Sequence, residues 1–295
     1  MVISELLKTA TDKLKNTNIP RLDAGVILSH ILGVDRVYLA MHGAEHVDET
    51  RRLAFESAIQ RRAKGEPVAY ITGVREFMSL DFEVGTGVLI PRGDTETLCE
   101  YVVERLKDLE GLRIADLCCG SGCIGVSLAK YLPGSRVTMA DISDTAIAVT
   151  RRNIQKHGVA DRASVIQTDI MQDVIDGEFD VIVSNPPYIE SGVIAGLDTD
   201  VRDYEPRLAL DGGADGLIFY RRIAEIAPGM LKTGGVLAFE VGHTQADAVG
   251  DIMRGAGFGD INTICDIAGV RRVVAGRAAN SWQRTTSVGA TCGRP

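Results

Sequence analysis

The chain has 295 residues, of which 45% are hydrophobic and 24% charged, and a formal net charge of −8. That length exceeds what one small core organises, so two domains are expected, in a composition ordinary for a soluble protein. The charge argues against a broad phosphate-neutralising surface, no apolar run approaches the roughly 20 residues of a membrane helix, and the cysteines do not form a secreted disulfide framework.

The first residues, MVISELLKTATDKLK, space apolar side chains helically and include Glu5 and Asp12. That suits a mature helix rather than a targeting peptide and points to the cytoplasm. DAGVILSHILGV (23–34) and DETRRLAFESAIQRRAKG (48–65) repeat the helical spacing, each opening on an aspartate suited to capping. Gly65-Glu66-Pro67 breaks the second. FMSLDFEV (77–84) then alternates, GTG (85–87) turns and VLIP (88–91) returns, which predicts a short hairpin. Beyond it, strand-like segments at 114–118, 136–140, 163–168, 179–184 and 236–241 alternate with helix-like ones at 95–108, 122–131, 143–157, 215–231 and 244–256. This is the pattern of an α/β doubly wound, mostly parallel sheet. FGDINTICDIAGVRRVVAGR (258–277) adds an antiparallel pair. The expected organisation is a helical domain (1–74), a β-hairpin linker (75–91), an α/β domain (92–278) and a flexible tail (279–295).

IADLCCGSGCIG (114–125) reads as a buried strand, a glycine turn and a helix start. Glycines let backbone pass close to a ligand, and the helix start offers free N–H groups. Gly120, Gly122 and Gly125 satisfy GxGxxG, and Asp141 follows at the end of the next strand, where a carboxylate can accept from ribose hydroxyls. Both NAD and S-adenosylmethionine carry such a ribose; a tight turn with a capping aspartate is the plainer alternative. Cys118, Cys119 and Cys123 also invite a metal reading, but no CxxC pair or HExxH accompanies them, and no metal is expected. With Asp116 before the turn, the segment resembles the first motif of class I S-adenosylmethionine-dependent methyltransferases. The resemblance makes Cys118, Cys119, Gly120, Ser121, Gly122 and Asp141 candidate cofactor contacts. The departure is Cys118 and Cys119 ahead of Gly120, which implies either ordinary φ at the first position or a different loop path. Asp169 and Ile170 resemble the adenine-edge position of that family; a capping role for Asp169 is the alternative.

FDVIVSNPPYI (179–189) runs a buried strand into two prolines, which fix φ and cannot donate to a ladder. In a doubly wound sheet this strand end faces the glycine loop. A methyl sulfonium is already electrophilic, so the difficulty lies in the acceptor, an amide or aryl-amine nitrogen with a delocalised lone pair. Two fixed acceptors, the Asn185 side-chain oxygen and the Pro186 carbonyl, would hold both N–H hydrogens and aim the lone pair, with Pro187 stiffening the turn and Tyr188 packing on the planar group. A strand-ending turn with Tyr188 in the core is the alternative. Glutamine amides in protein and adenine amino groups in nucleic acid pose the same problem.

GEPVAYITGVREFMSLDFEVGTGVLIPRGDTETL (65–98), with DLCCGSG, NPPYI and YEPRLALDGGADGL (204–217), is similar to the release factor glutamine methyltransferase family, from about residue 20 to 277. IPRGDTE is similar to the release-factor branch rather than the ribosomal-protein branch, with Gly93 where many members have proline. The resemblance implies a helical domain that docks substrate, a seven-stranded class I methyltransferase domain, S-adenosylmethionine as methyl donor, and class I peptide chain release factors as substrate, methylated on the glutamine amide (N5) of their Gly-Gly-Gln motif. It also puts Arg92 and Thr95 near the cofactor; a helix-capping role for Asp94 or Thr95 is as well founded. Glu240 and His243 have no visible partner for a catalytic dyad and read as structural. An amino-group methyltransferase acting on nucleic acid, an NAD-dependent oxidoreductase and a non-enzymatic adaptor are the competing readings. Acidic charge opposes the first, and NPPY is unexplained by the second.

Overall fold

In a computed structural model, which describes residues 1–278, the N-terminal quarter is helical: α1 (Ile3–Lys13), α2 (Pro20–Leu32), α3 (Arg36–Met41), α4 (Glu49–Ala63) and α5 (Val68–Thr72). Ile3, Leu6 and Ala10 fall at helical spacing on α1 and pack with Leu14, Ile27, Leu28, Phe55 and Ile59 into a separate small core. Asp48 caps α4 by accepting from Arg51 N–H at 3.0 Å. Asp23 does not cap α2, contrary to expectation. That helix starts three residues earlier, with Pro20 at its first position, and Asp23 is buried inside it, accepting from Arg62 Nε at 2.7 Å. Proline is pre-set for a first helical turn, and here it outweighs the aspartate.

The hairpin is β1 (Val74–Phe77) paired with β2 (Leu80–Glu83), turning at Met78 and Ser79 rather than at Gly85–Gly87. Both turn residues take left-handed φ, 50° and 55°, without glycine. Tertiary contacts hold Met78 there: Glu96 Oε1 accepts from Met78 N–H at 2.7 Å and Tyr131 O–H donates to Met78 O at 2.6 Å.

The remainder runs α6 (Glu96–Leu106), β3 (Arg113–Leu117), α7 (Cys123–Tyr131), β4 (Arg136–Asp141), α8 (Asp144–Lys156), β5 (Ala163–Gln167), β6 (Phe179–Ser184), α9 (Thr199–Arg202), α10 (Ile218–Ile226), β7 (Leu231–Glu240), α11 (Ala246–Gly255), β8 (Phe258–Cys265) and β9 (Arg271–Ala278). The seven-stranded sheet has the order β5-β4-β3-β6-β7-β9-β8, parallel except for β9, which is antiparallel to both of its neighbours. Near-continuous apolar runs such as Ile114–Leu117 and Val181–Val183 are buried because helices cover both faces, each with its own core cluster. The predicted tail at 279–295 lies outside the described residues. Among the described residues no helix is long and apolar enough to cross a membrane.

Register positions the site. Leu117 pairs with Ser184 on one side and Ala140 on the other. Cys118, Asn185 and Asp141 therefore leave the sheet side by side, at the carboxyl ends of the strands where the order reverses.

Candidate functional site

Past Leu117 the chain makes three left-handed excursions, at Cys118 (φ 60°), Gly120 (57°) and Gly122 (77°). Cys118 thus keeps a glycine-like path, so the expectation of ordinary φ or a rerouted loop is corrected. A non-glycine residue there costs roughly 1–2 kcal/mol, which the surrounding bonds must offset. Those bonds are specific: Cys119 N–H donates to Ala140 O at 3.0 Å, Thr150 Oγ1 donates to Gly120 O at 3.0 Å, and Asn153 Nδ2 donates to Ser121 O at 2.9 Å. The second and third glycines are also required by space. A Cβ at Gly122 would lie 2.7 Å from Thr150 Cγ2, and one at Gly125 would collide with Met139.

Asp141 accepts from Gly120 N–H (2.8 Å) through one oxygen and from Ser143 N–H (2.9 Å) through the other, so it both closes the loop and faces the cavity. Burial pushes its carboxyl pKa up, against the backbone N–H groups that favour the charge. Asp116 is fully buried behind the loop. Its Oδ2 accepts from Gly125 N–H at 2.9 Å, Oδ1 has no partner, and desolvation raises the carboxyl to about 8. Asp169 accepts from Met171 N–H (3.0 Å) and Gln172 Nε2 (2.7 Å) in a turn that no helix follows, so it caps none, and with Ile170 it lines the cavity.

Asn185 Nδ2 donates one of its two N–H groups to Thr95 Oγ1 at 3.3 Å, which orients the amide. The capping expectation for Asp94 and Thr95 fails: Thr95 makes no side-chain cap to α6, and Asp94 pairs with Arg272 Nη2 at 2.6 Å. Behind the turn, a Cβ at Gly212 would stand 2.7 Å from Tyr188 Cα, and one at Gly216 would strike Tyr188 O. Gln245 Nε2 donates to Tyr188 O at 2.9 Å and Gly216 O at 3.3 Å. The Asn185–Tyr188 turn is therefore clamped by closely packed backbone on its far side.

These strand ends enclose a cavity of about 340 Å³, a volume suited to a small-molecule site. Of the predicted residues, Thr95, Cys118, Cys119, Gly120, Ser121, Asp141, Asp169, Ile170, Asn185 and Pro187 line it; Gly122, Pro186 and Tyr188 do not. Tyr188 O–H instead points to buried Glu240, with 3.5 Å to Oε1. The far wall comes from Pro206, Leu208 and Ala209. This segment is pinned by Glu205, which accepts from Arg92 Nη2 through both oxygens at 2.7 and 2.8 Å. The Glu205 carboxyl is buried and raised to about 7, desolvation outweighing Arg92. Sequence reasoning missed Asn153, Thr150, Gln245 and Phe219. Glu205, Gly212 and Gly216 stood inside a quoted motif without a role. His243 is exposed.

The residues fit S-adenosylmethionine. Gly120 presents open space where a Cβ would project, Asp141 stands at the strand end, and Ile142, Ala146, Ile170 and Phe219 supply apolar wall for a purine. No cluster of three metal-ligating side chains occurs among the described residues. A second cavity, of about 330 Å³, opens at the amino ends of β6 and β7 beside Asp180 and Lys232 and contains none of the predicted site residues.

A family model described as the PrmC N-terminal domain matches residues 5–73, and one described as the methyltransferase small domain matches 93–197. A release factor glutamine methyltransferase of Clostridium acetobutylicum is 42% identical over 278 residues, covering 93% of this chain and 98% of that protein. One from Moorella thermoacetica is 46% identical over 238 residues, covering 81% and 84%. The crystal structure of a methyltransferase from Pyrococcus furiosus, 17% identical, superposes with a TM-score of 0.51 over 79% of this chain and all of that one, a likeness of fold.

Proposed function

We propose, from the premise that this chain belongs to the release factor glutamine methyltransferase family, that it transfers a methyl group from S-adenosylmethionine to the side-chain amide (N5) of the glutamine in the Gly-Gly-Gln motif of class I peptide chain release factors. The observation that carries this reading is that Asn185, oriented by a bond from its Nδ2 to Thr95, lines the same cavity as Gly120 and Asp141.

When bound, S-adenosylmethionine supplies an electrophilic methyl on a sulfonium. Cys118, Cys119, Gly120 and Ser121 would hold its amino-acid end, Asp141 its ribose, and Asp169 and Ile170 its adenine, with Thr95 nearby and Gly122 shaping the loop from outside the cavity. Asn185 Oδ1 would accept an N–H hydrogen of the substrate amide from the cavity wall and Pro187 stiffens the turn, while Pro186 and Tyr188, which stand outside that wall, act by holding the turn in place. Orientation leaves the nitrogen lone pair facing the methyl, so catalysis rests on alignment and fixed dipoles. The N–C bond forms as the S–C bond breaks, and one proton leaves the product nitrogen.

Residues 1–74 dock the substrate, 75–91 join them to the methyltransferase domain at 92–278, and the reaction takes place in the cytoplasm without a metal. A net charge of −8 favours a protein partner over nucleic acid. The test is to incubate the chain with labelled donor and a purified release factor and to map the product by mass spectrometry. One methyl group on the Gly-Gly-Gln glutamine is expected; an unmodified factor, or a methyl elsewhere, refutes the reading.

A further inference from the structure

The helical part of the chain is fastened to the cavity at two places. On α5, buried Tyr70 donates from its O–H to Val88 O at 2.6 Å, and Val88 lines the cavity with Gly87 and Leu89. Just past α4, Lys64 O accepts from Tyr204 O–H at 3.2 Å. Gly65 has φ 100°, and a Cβ there would stand 3.0 Å from Thr199 Cγ2 and 3.6 Å from Tyr204 Cε2, so this corner lies flush against the segment that leads into the far wall. Arg62 shapes the corner from the helical side: its Nε donates to Asp23 at 2.7 Å and its Nη1 to Glu66 O at 3.2 Å. The Tyr204 ring packs on the small cluster that holds Tyr70, Val88 and Ile90.

Beyond Tyr204 the chain passes directly to the site. Glu205 is held by Arg92 Nη2, and Pro206, Leu208 and Ala209 line the cavity. The segment then bonds to the residue that follows the Asn185–Tyr188 turn: Ile189 N–H donates to Leu210 O at 2.9 Å, and Gly212 N–H donates to Ile189 O at 2.8 Å. One short stretch of chain thus touches α4, the cavity wall and the end of the acceptor turn. We propose that Tyr204–Gly212 is a strap by which the helical domain holds the cavity and the Asn185–Tyr188 turn in their working shape, with Tyr204, which lines no part of the cavity, as a positioning residue. This rests on the proposed function for what the cavity holds and what the helical domain docks. A partner that orders the strap from the helical end spares the donor that cost, and the donor does the same for the partner, so each strengthens binding of the other.

Hydrogen exchange of the full chain tests the strap with no ligand present. The amides of Ile189 and Gly212 report its seating. In Tyr204→Ala they should exchange about tenfold faster, and in Tyr204→Phe, which keeps the ring and loses one exposed hydrogen bond, only about twofold faster. Gly65→Ala, a change in the helical domain alone, should act in the same direction, since its φ is strained and its Cβ presses on Thr199. The amides of β8, away from the strap, should exchange as in the wild type. Calorimetry should show S-adenosylmethionine binding about tenfold more weakly to Tyr204→Ala, with most of the affinity recovered in Tyr204→Phe. In the wild type the donor should tighten binding of a release factor, and in Tyr204→Ala that gain should disappear. Unchanged exchange at Ile189 and Gly212 in Tyr204→Ala, acceleration spread equally over β8, or unchanged donor affinity overturns the proposal. If the wild-type chain binds no donor or leaves the release factor unmodified, the proposed function fails, and exchange alone still decides the strap.

Discussion

The side-chain amide of Asn153 donates to the Ser121 carbonyl at 2.9 Å, joining α8 to the floor of the cavity. The same side chain donates to Glu83 O at 3.0 Å and accepts from Glu83 N–H at 2.8 Å, so one buried residue ties hairpin, helix and glycine loop together. Asn153→Ala would strand three backbone groups. We expect a loss of about 2–4 kcal/mol of stability, measured by urea unfolding, together with weaker donor binding by calorimetry. A loss of stability without any change in donor affinity would show that the loop holds its shape by other means.

Gly216 has φ 70°, and a Cβ there would collide with the carbonyl oxygen of Tyr188. Gly216→Ala must therefore adopt an unfavourable conformation and push on the Asn185–Tyr188 turn, at a cost of roughly 1–3 kcal/mol. The expected kinetic signature is a lower kcat with donor affinity little altered, read from steady-state methylation beside a binding isotherm.

Asn185→Ala should reduce turnover by roughly 10²–10³-fold, the scale of removing one preorganised polar partner. Asp141→Ala should act on the other substrate: its carboxylate anchors Gly120 N–H and faces the cavity, so the donor dissociation constant should rise. Unaltered turnover in the first variant, or unaltered donor affinity in the second, would reverse the assignments.

Three buried carboxyls titrate high: Asp116 at about 8, Glu205 at about 7 and Glu240 at about 7, each raised mainly by desolvation. In the unfolded chain they ionise near 4, so between about pH 4 and pH 8 the folded state binds more protons. Their contribution to stability is therefore greatest at the acidic end of that window and is lost as pH rises through the folded values. Thermal midpoints should fall from pH 5 to pH 8, and Asp116→Asn should flatten the slope. A rising midpoint across the same interval would contradict the burial argument.

The class of fold was legible because core strands buried on both faces write long apolar runs; Phe179–Ser184 falls where the run FDVIVS predicts it. The helix expected over 215–231 overran at both ends. Observed α10 spans only Ile218–Ile226, because Gly216 belongs to the clamp behind the turn and Leu231 already opens β7. The hairpin was misplaced for a related reason. The turn at Met78 and Ser79 takes left-handed φ with Met78 bonded to residues distant in sequence, which no local pattern announces. Much of the cavity wall could be read because glycine turns and proline turns carry strong local signals. Asn153, Gln245 and the Arg92–Glu205 pair could not, since each works by bridging segments far apart along the chain.

β9 slots between β7 and β8, pairing Val273 with Glu240, while its Arg272 grips Asp94 one residue before Thr95. A ribosome making this chain therefore releases the donor-side loops long before the strand that steadies the acceptor side. Until residues 271–278 emerge, β7 has an uncovered rim that invites foreign strands. Maturation of the crevice thus waits on residues 271–278, which close that rim.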